Sequence, residues 1–388
     1  MDSEGEGRVN SRLIETYIVS TMHSVLGSKL ALSRAWPFGL SVLAILGSMG
    51  CKFRDASEPH GLLGSAGLEY SANDELNAMR VKFVQLDASL TREFLSFPTL
   101  ETVEINECRR DGTPLLLVLA QLPQLQSLTI NNVQLSDEEF SQLRGAPKLV
   151  SLELSQTGIT GEALSQLSEL SLKRLSICDS TITQQGLKHL TKMQELEELE
   201  LQLASLSAAS IPPLAQLRNL KTLRILRINF NFRVNGGLNC LEGADSLESL
   251  DISGDKLTER VVRAIVKLRG LKSLKLGRCI IDDEGVELLL KLNQLEHLEI
   301  ADCSDLTDRS LTLLSGLTKL KSLFLSETNL EGRTLPHLAR IQGLKNLTLY
   351  GKPIDENLLT EFHTLKPNCK VSTSLDEDKI SQSQSHVL

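Results

Sequence analysis

Residues Leu271–Cys279 read LKSLKLGRC, a segment in which Leu274 and Leu276 are separated by the polar residue Lys275. In an extended strand, side chains two positions apart point to the same face. The two leucines therefore share one face, and Lys275 points to the other. The segment predicts a short β-strand with one face in a core and the other in solvent.

The same L-x-x-L-x-L pattern recurs along most of the chain. The intervals between its starts are 19, 25, 24, 23, 24, 24, 27, 24, 24, 25 and 24 residues. Spacing this regular indicates a stack of similar units, each too thin to bury its apolar face unless its neighbours cover it. The starts are Val81, Leu100, Leu125, Leu149, Leu172, Leu196, Leu220, Leu247, Leu271, Leu295, Leu320 and Leu344.

The second half of each unit predicts a short helix on the opposite side from the strand. It opens with a residue whose side-chain oxygen can cap a helix N-terminus. Apolar residues then follow every three or four positions, as at Leu311, Leu314 and Leu317. The capping positions are Ser136-Asp137, Thr183, Thr258-Glu259, Asp282-Asp283 and Thr307-Asp308.

A period of 20 to 29 residues around this core resembles the leucine-rich repeat family. The resemblance covers roughly three quarters of the chain, as about 12 repeats, and its helical second halves are similar to the ribonuclease-inhibitor-like subclass. It implies an α/β solenoid shaped as a horseshoe, with a parallel β-sheet on the concave face and short helices on the convex side. Such a fold presents a binding surface.

The ninth position of several repeats holds a small polar residue, where family members place Asn or Cys to bond neighbouring turns. The resemblance therefore implies a structural role for the cysteines there. The seven cysteines of the chain show no metal-ligand spacing and no dense disulfide framework. Cys178 faces solvent instead, and we expect an unreactive thiol. The ninth-position residues are Cys108, Thr157, Ser180, Cys279, Cys303 and Thr328.

The N-terminal 50 residues predict an export signal. The apolar run Ala35–Gly50 follows the basic residues Lys29 and Arg34, and it is short for a membrane span. Its exit, Ser48 to Cys51, resembles a bacterial lipobox, which makes Cys51 a candidate lipidation site and implies possible membrane attachment. Ser48 stands where such boxes usually carry Leu, so ordinary cleavage after Gly50 stays open. Met22 is a candidate for the true start.

The sequence divides into four segments. Residues 1–50 are the export segment, 51–75 a flexible tether rich in Gly, Ser and Ala, 76–370 the repeat domain and 371–388 a polar, disordered tail. The net charge of -8 and the pI near 5.5 argue against a nucleic-acid partner. No catalytic, phosphate-binding or metal-binding motif occurs, so we expect no enzyme activity, no cofactor and no metal.

The solvent-facing strand positions between the two inward leucines form a central column across the repeats. The column is mostly acidic until the last repeats, where aromatic side chains lie near charged ones. Because aromatic anchors dominate interface energies, we expect a protein partner to contact Lys275, His297, Glu299, Phe324 and Tyr350. The column is Gln85, Glu104, Thr129, Glu153, Ser176, Glu200, Arg224, Asp251, Lys275, Glu299, Phe324 and Thr348.

Arg224 is a further candidate contact, because the 27-residue unit after Leu220 breaks the pattern with a basic segment ending in Gly-Gly. We expect this insertion to bring Arg227 and Arg233 close to Arg224. Inserted loops on repeats often carry function.

Three functions agree with this sequence. The first is an exported, non-catalytic protein-interaction scaffold, lipid-anchored if Cys51 is modified. The second is an intracellular adaptor resembling the F-box substrate receptors, although residues 52–80 offer no room for their helical motif. The third is an enzyme regulator or inhibitor of the ribonuclease-inhibitor type. The alternatives would place the protein in the cytoplasm rather than in the cell envelope.

Overall fold

The computed structural model describes residues 67–70, 78–82, 85–86, 88–178, 182–202, 210–228, 238–257, 259–279 and 281–373. All of them belong to the compact unit Lys52–Leu388; a separate unit spans Met1–Cys51. The predicted export segment and the candidate lipidation site Cys51 therefore lie outside the described residues. So do residues 229–237, which include Arg233.

One sheet of 14 strands runs through the described array, and 13 of them are parallel neighbours in chain order. The short strands β3 (Gln85–Leu86) and β5 (Arg109–Arg110) pair separately. The strands of the large sheet are β1 (Gly67–Tyr70), β2 (Ala78–Lys82), β4 (Thr102–Asn106), β6 (Ser127–Asn131), β7 (Ser151–Ser155), β8 (Arg174–Cys178), β9 (Glu198–Gln202), β10 (Thr222–Ile228), β11 (Ser249–Leu257), β12 (Ser273–Cys279), β13 (His297–Ala301), β14 (Ser322–Thr328), β15 (Asn346–Gly351) and β16 (Lys370–Thr373).

The strands form because each repeat offers two apolar side chains to one face of the sheet. In β12, Leu274 and Leu276 are buried, whereas Lys275 between them is exposed. The same alternation of buried and solvent-facing residues recurs in β4 and β13. The inward side chains of successive repeats merge into one continuous aliphatic core, as the leucine spacing predicts.

The convex side carries α-helices in some repeats and 3₁₀ helices in others. The α-helices are α1 (Ala88–Glu93), α2 (Leu115–Leu119), α3 (Gly161–Leu167), α4 (Gln184–Leu187), α5 (Glu259–Ile265), α6 (Asp283–Leu289), α7 (Asp308–Leu314) and α8 (Glu356–Leu365). The 3₁₀ helices are Phe94–Ser96, Asp137–Gly145, Lys188–Lys192, Leu214–Gln216, Asn239–Leu241 and Leu335–Arg340. Helices are wider than the spacing of paired strands, about 4.8 Å, so the sheet lines the concave side.

The acidic residues at the start of the convex helices bond to the following repeat. The carboxylate of Asp283 accepts hydrogen bonds from Thr307 N at 3.2 Å and Thr307 Oγ1 at 2.6 Å. Asp308 accepts from the backbone N–H groups of Glu331, Gly332 and Arg333 at 2.8–2.9 Å. The sequence predicts these acids as caps of their own helices. They also tie neighbouring repeats together, which local spacing does not reveal.

Six residues at or just after the end of a strand adopt a left-handed conformation, although none of the six is glycine. For four of them, Glu107, Asn132, Gln156 and Asp302, the N–H donates to a carbonyl of the next strand, as from Glu107 N to Asn131 O at 2.8 Å. The recurring contact explains why this φ is kept despite its cost for L-residues. The six residues, with φ between 50° and 57°, are Glu107, Asn132, Gln156, Arg278, Asp302 and Glu327.

This left-handed turn corrects the role predicted for the ninth position. Cys108 and Cys303 are buried there, in agreement with a structural role. Their Sγ atoms donate to Asn106 O and Ala301 O at 3.3 Å, which are carbonyls of their own repeat rather than of the adjacent coil. The turn folds the side chain back over the end of its own strand.

The predicted start of the first repeat at Val81 is wrong by five residues. Val81 pairs with Ile105 and lies inward, and Arg80 pairs with Glu104. Arg80 therefore occupies the column position predicted for Gln85, which lies in the separate ladder with Arg109. The segment LNAMRV carries Met and Val at its two inward positions, and the overlapping segment VKFVQL, which was predicted as the first repeat, also carries a single leucine.

Both ends of the repeat domain extend beyond the predicted bounds. Strand β1 lies within residues 51–75, predicted as a tether, and pairs antiparallel with β2. Strand β16 continues to Thr373, and so includes the first three residues of the predicted disordered tail, 371–388. These strands form because an edge of the sheet supplies unpaired backbone groups.

Candidate functional site

The central column exists as predicted from Glu104 onward. Adjacent strands pair in register at each of its positions, as at Lys275 opposite Glu299 and Glu299 opposite Phe324. The column is therefore a line of side chains across the concave face, in the order Arg80, Glu104, Thr129, Glu153, Ser176, Glu200, Arg224, Asp251, Lys275, Glu299, Phe324 and Thr348.

Arg224 is held between two carboxylates of the column. Its Nη1 lies 2.7 Å from Glu200 Oε2, and its Nε lies 3.2 Å from Asp251 Oδ2. Roughly half of its side chain remains exposed, at 45%. The predicted approach of Arg227 and Arg233 falls on side chains outside the described residues. Arg224 is therefore a paired surface residue whose charge is already compensated.

The aromatic residues predicted at the C-terminal end of the array do meet. The rings of Phe324 and Tyr350 pack edge to face, with centroids 5.7 Å apart and planes at 87°. Both side chains are half-buried on the concave face. Edge-to-face pairs hold each other in a fixed orientation, so the two rings form a rigid aromatic surface.

The other three residues predicted as partner contacts, Lys275, His297 and Glu299, lie on strands β12 and β13. Lys275 Nζ and Glu299 Oε2 form an ion pair at 2.9 Å, and Glu299 lies beside Phe324 in the sheet. His297 is exposed on the same strand as Glu299, two positions earlier, and its neighbours in register are Ser273 and Ser322. The structure therefore places the five predicted contacts on four consecutive strands, β12 to β15, with His297 two positions away from the central column along β13.

Glu153, which the sequence analysis did not single out, is the one charged residue of the central column without an ion pair among the described residues. Seven of the column's charged residues are in ion pairs: Arg80, Glu104, Glu200, Arg224, Asp251, Lys275 and Glu299. Glu153, the eighth charged residue, has no ion-pair partner among the described residues. The surrounding concave sheet partly desolvates the exposed carboxylate of Glu153 and raises its pKa, and the carboxylates of Glu200 and Glu104 raise it further. Only the three-dimensional pairing reveals this isolation.

A second line of charges follows the edge where the strands begin, and we name it the strand-start ladder. It alternates Lys173, Glu197, Lys221, Glu248, Lys272, Glu296 and Lys321 along successive repeats. Lys272 Nζ lies 2.8 Å from Glu248 Oε2, and Lys321 Nζ lies 2.6 Å from Glu296 Oε2. These lysines lower the pKa values of Glu248 and Glu296 by hydrogen bonding and charge.

The described residues hold no group of three or more His, Cys, Asp or Glu side chains arranged to bind a metal ion. His337 Nδ1 lies 2.9 Å from Thr312 Oγ1 on the convex side, whereas the central column is on the concave side. Within the same described ranges, no helix is both long and apolar enough to cross a bilayer.

Cys240, Cys303 and Cys369 are free thiols. Cys240 is buried, and burial raises its pKa to about 12. Cys178 is half-buried on the concave face, with its Sγ 3.6 Å from Ser176 Oγ. The predicted lack of reactivity of Cys178 stays a prediction.

Comparison with solved structures shows where this geometry has been seen. An internalin from Listeria monocytogenes is 18% identical, with a TM-score of 0.50, and the match covers 76% of this chain and 86% of that one. A leucine-rich repeat protein of Leptospira interrogans is also 18% identical, with a TM-score of 0.45, over 76% of this chain and 90% of that one. No family model matches, and no curated protein matches. The fold is a leucine-rich repeat solenoid.

Proposed function

We propose that the protein is a non-catalytic scaffold that holds a protein partner on its concave face. The observation that carries this proposal is the edge-to-face pair of Phe324 and Tyr350, exposed in part on a surface otherwise lined by charged and small polar side chains. Partly buried rings lose little conformational entropy when a partner covers them, and such residues dominate binding energies. Leucine-rich repeat arrays use curved sheets in this way.

The partner surface consists of Phe324, Tyr350, Lys275 and Glu299, and we name it the aromatic patch. The ion pair of Lys275 and Glu299 is next to Phe324 in the register of the sheet, because Glu299 pairs with Phe324, and it would form part of the polar rim. Rim charges contribute more to orientation and association rate than to affinity. We therefore expect the rings to supply the affinity and the ion pair to supply the alignment.

A site-specific photocrosslinker tests this proposal. Placed at Thr348, which lies beside Phe324 in the sheet, it should capture a defined protein in the native host. The same group at Glu162, exposed on helix α3 of the convex side, should not. The double variant Phe324→Ala and Tyr350→Ala should abolish the Thr348 product. Equal capture from both positions, or capture unchanged by the double variant, would contradict the proposal.

We further propose that the chain is exported and anchored through a lipid on Cys51. Support comes from the apolar run Ala35–Gly50 behind basic residues and from the small residues that precede Cys51. The mass of the mature N-terminal peptide from native cells tests this. A diacylated peptide beginning at Cys51 is expected. A peptide beginning at Met1 or Met22 would overturn export, and an unmodified Cys51 at the terminus would overturn anchoring alone.

The membership of the ribonuclease-inhibitor-like subclass stays a prediction. Its support is the presence of α-helices on the convex side of several repeats, such as α6 and α7. The 3₁₀ helices Asp137–Gly145 and Leu335–Arg340 depart from that pattern.

A further inference from the structure

We propose that Glu153 is a second anchor point on the concave face and receives an arginine side chain of the protein partner. The inference rests on the proposed function, since it assumes a protein on the same face. Its basis is separate, however, because Glu153 lies on β7 and the aromatic patch lies on β12 to β15.

The first step is the isolation of the Glu153 carboxylate. Elsewhere in the central column, opposite charges on adjacent strands neutralise each other, as Arg80 does with Glu104 and Arg224 with Glu200. The neighbours of Glu153 in register are Thr129 and Ser176, which carry no charge. A carboxylate in this position retains its full charge and has no partner among the described residues.

The second step is the ring of hydroxyl groups around that carboxylate. Thr129 and Ser176 flank it across the sheet, and Ser151 and Ser155 lie on the same face of its own strand. All four side chains are half-buried, whereas Glu153 is exposed. The carboxylate therefore extends beyond the small side chains around it, and these leave space for a ligand to approach it.

The third step is the choice of ligand. A guanidinium group has five N–H donors in a planar fork, whereas an ammonium group has three donors around a point. One carboxylate surrounded by hydroxyl acceptors can satisfy more of the donors of arginine than of lysine. The carboxylates of Glu104 and Glu200 lie two strands away on either side and add a long-range attraction for a cation, which their ion pairs with Arg80 and Arg224 weaken.

The fourth step is the distance to the aromatic patch. Seven strand-to-strand steps separate β7 from β14. At about 4.8 Å a step, this places Glu153 roughly 30 Å from Phe324 along the sheet. A partner that uses both anchors therefore presents an arginine and an apolar group about that far apart, which suits a small domain or an extended segment of about ten residues.

A displayed library of random peptides of about 16 residues, which reach roughly 50 Å when extended, tests this inference. Selection on the full chain should enrich peptides that contain arginine. For those peptides, Glu153→Gln should weaken binding about tenfold, because it removes the charge and keeps the shape. The matched control Glu162→Gln, on the exposed convex side, should leave affinity unchanged.

A double-mutant cycle then assigns the contact. Replacing the arginine of a selected peptide by glutamine should remove its sensitivity to Glu153→Gln, and replacing it by lysine should weaken binding to the unaltered protein. Added salt should reduce the effect of Glu153→Gln.

Three results would overturn the inference: no peptide is selected, arginine is not enriched, or Glu153→Gln binds the selected peptides as tightly as the unaltered protein does. If those peptides instead lose affinity with Phe324→Ala and Tyr350→Ala together, the proposed function stands and only the role of Glu153 is wrong. If neither change matters, both proposals fail.

Discussion

The concave face carries different chemistry in two regions that share one backbone. Around Glu153, the outward side chains are hydroxyl groups and a single unpaired carboxylate. Around Phe324, they are two packed rings beside an ion pair. Beneath both regions, the inward leucines Leu152 and Leu323 are buried in the same register. Inward positions hold the repeat, so outward positions are free to differ from one region to the next.

The largest effect on stability is expected from a substitution in the helices that pack beneath the region around Glu153. Beneath the first, helices α3 and α4 meet through Gly161 and Gly186, and a methyl group at Gly186 would overlap the Cα of Gly161. Backbone cannot move aside as a side-chain end can, so Gly186→Ala should lower the free energy of unfolding by about 3 kcal/mol. Chemical denaturation measures this.

Gly270→Ala is the matched control, since its methyl group would meet no atom closer than 3.4 Å. Hydrogen exchange on Gly186→Ala should show that protection is lost first around β7 and β8, and later around Phe324. If the two alanine variants were equally stable, or if protection were lost uniformly, the idea that the two regions are stabilised by separate packing contacts would be wrong.

A smaller effect on stability is expected at the residues with a left-handed backbone. It tests whether that conformation has the same cost in both regions. Gln156 and Glu327 hold φ values of 52° and 50°, which glycine adopts without steric cost. Gln156→Gly and Glu327→Gly should each stabilise the protein by up to about 1 kcal/mol, less the greater chain entropy of glycine. Asn132→Gly should gain less, because asparagine tolerates this conformation. A shift in the urea midpoint measures each; a loss of stability in either region would contradict the prediction.

The smallest effect contrasts Glu153 with a paired carboxylate of the strand-start ladder. The pKa of Glu248 lies below its ordinary 4.5, so Glu248 contributes stability above that value and loses the contribution as pH falls through its folded pKa. The pKa of Glu153 is raised, so its ionised form costs stability at neutral pH, and the cost disappears as pH falls.

At about pH 7, Glu248→Gln should therefore lower the denaturation temperature slightly, and Glu153→Gln should raise it slightly. The effect of Glu153→Gln should disappear as pH falls through the raised pKa of Glu153, and the effect of Glu248→Gln should persist to lower pH, because the pKa of Glu248 is lowered. A shift of the same sign for both variants at neutral pH would show that Glu153 has a cationic partner after all.

Spacing alone determined the repeat, the inward leucines and the central column from Glu104 to Thr348, because strand periodicity is a local property of the chain. The aromatic pair was also predictable, since Phe324 and Tyr350 lie at outward positions of adjacent repeats. The first repeat was not, because the overlapping segments LNAMRV and VKFVQL each carry one leucine and fit the repeat pattern about equally well.

Tertiary structure decided which charges neutralise one another. The ion pairs of the column join residues 24 or 27 positions apart in sequence, and their formation depends on the reach of two side chains across a pair of strands. The same dependence on neighbours left Glu153 unpaired, closed the N-terminal edge of the sheet with β1 and fixed the left-handed turns. Periodicity specifies where a side chain points, whereas distance and burial specify what it meets.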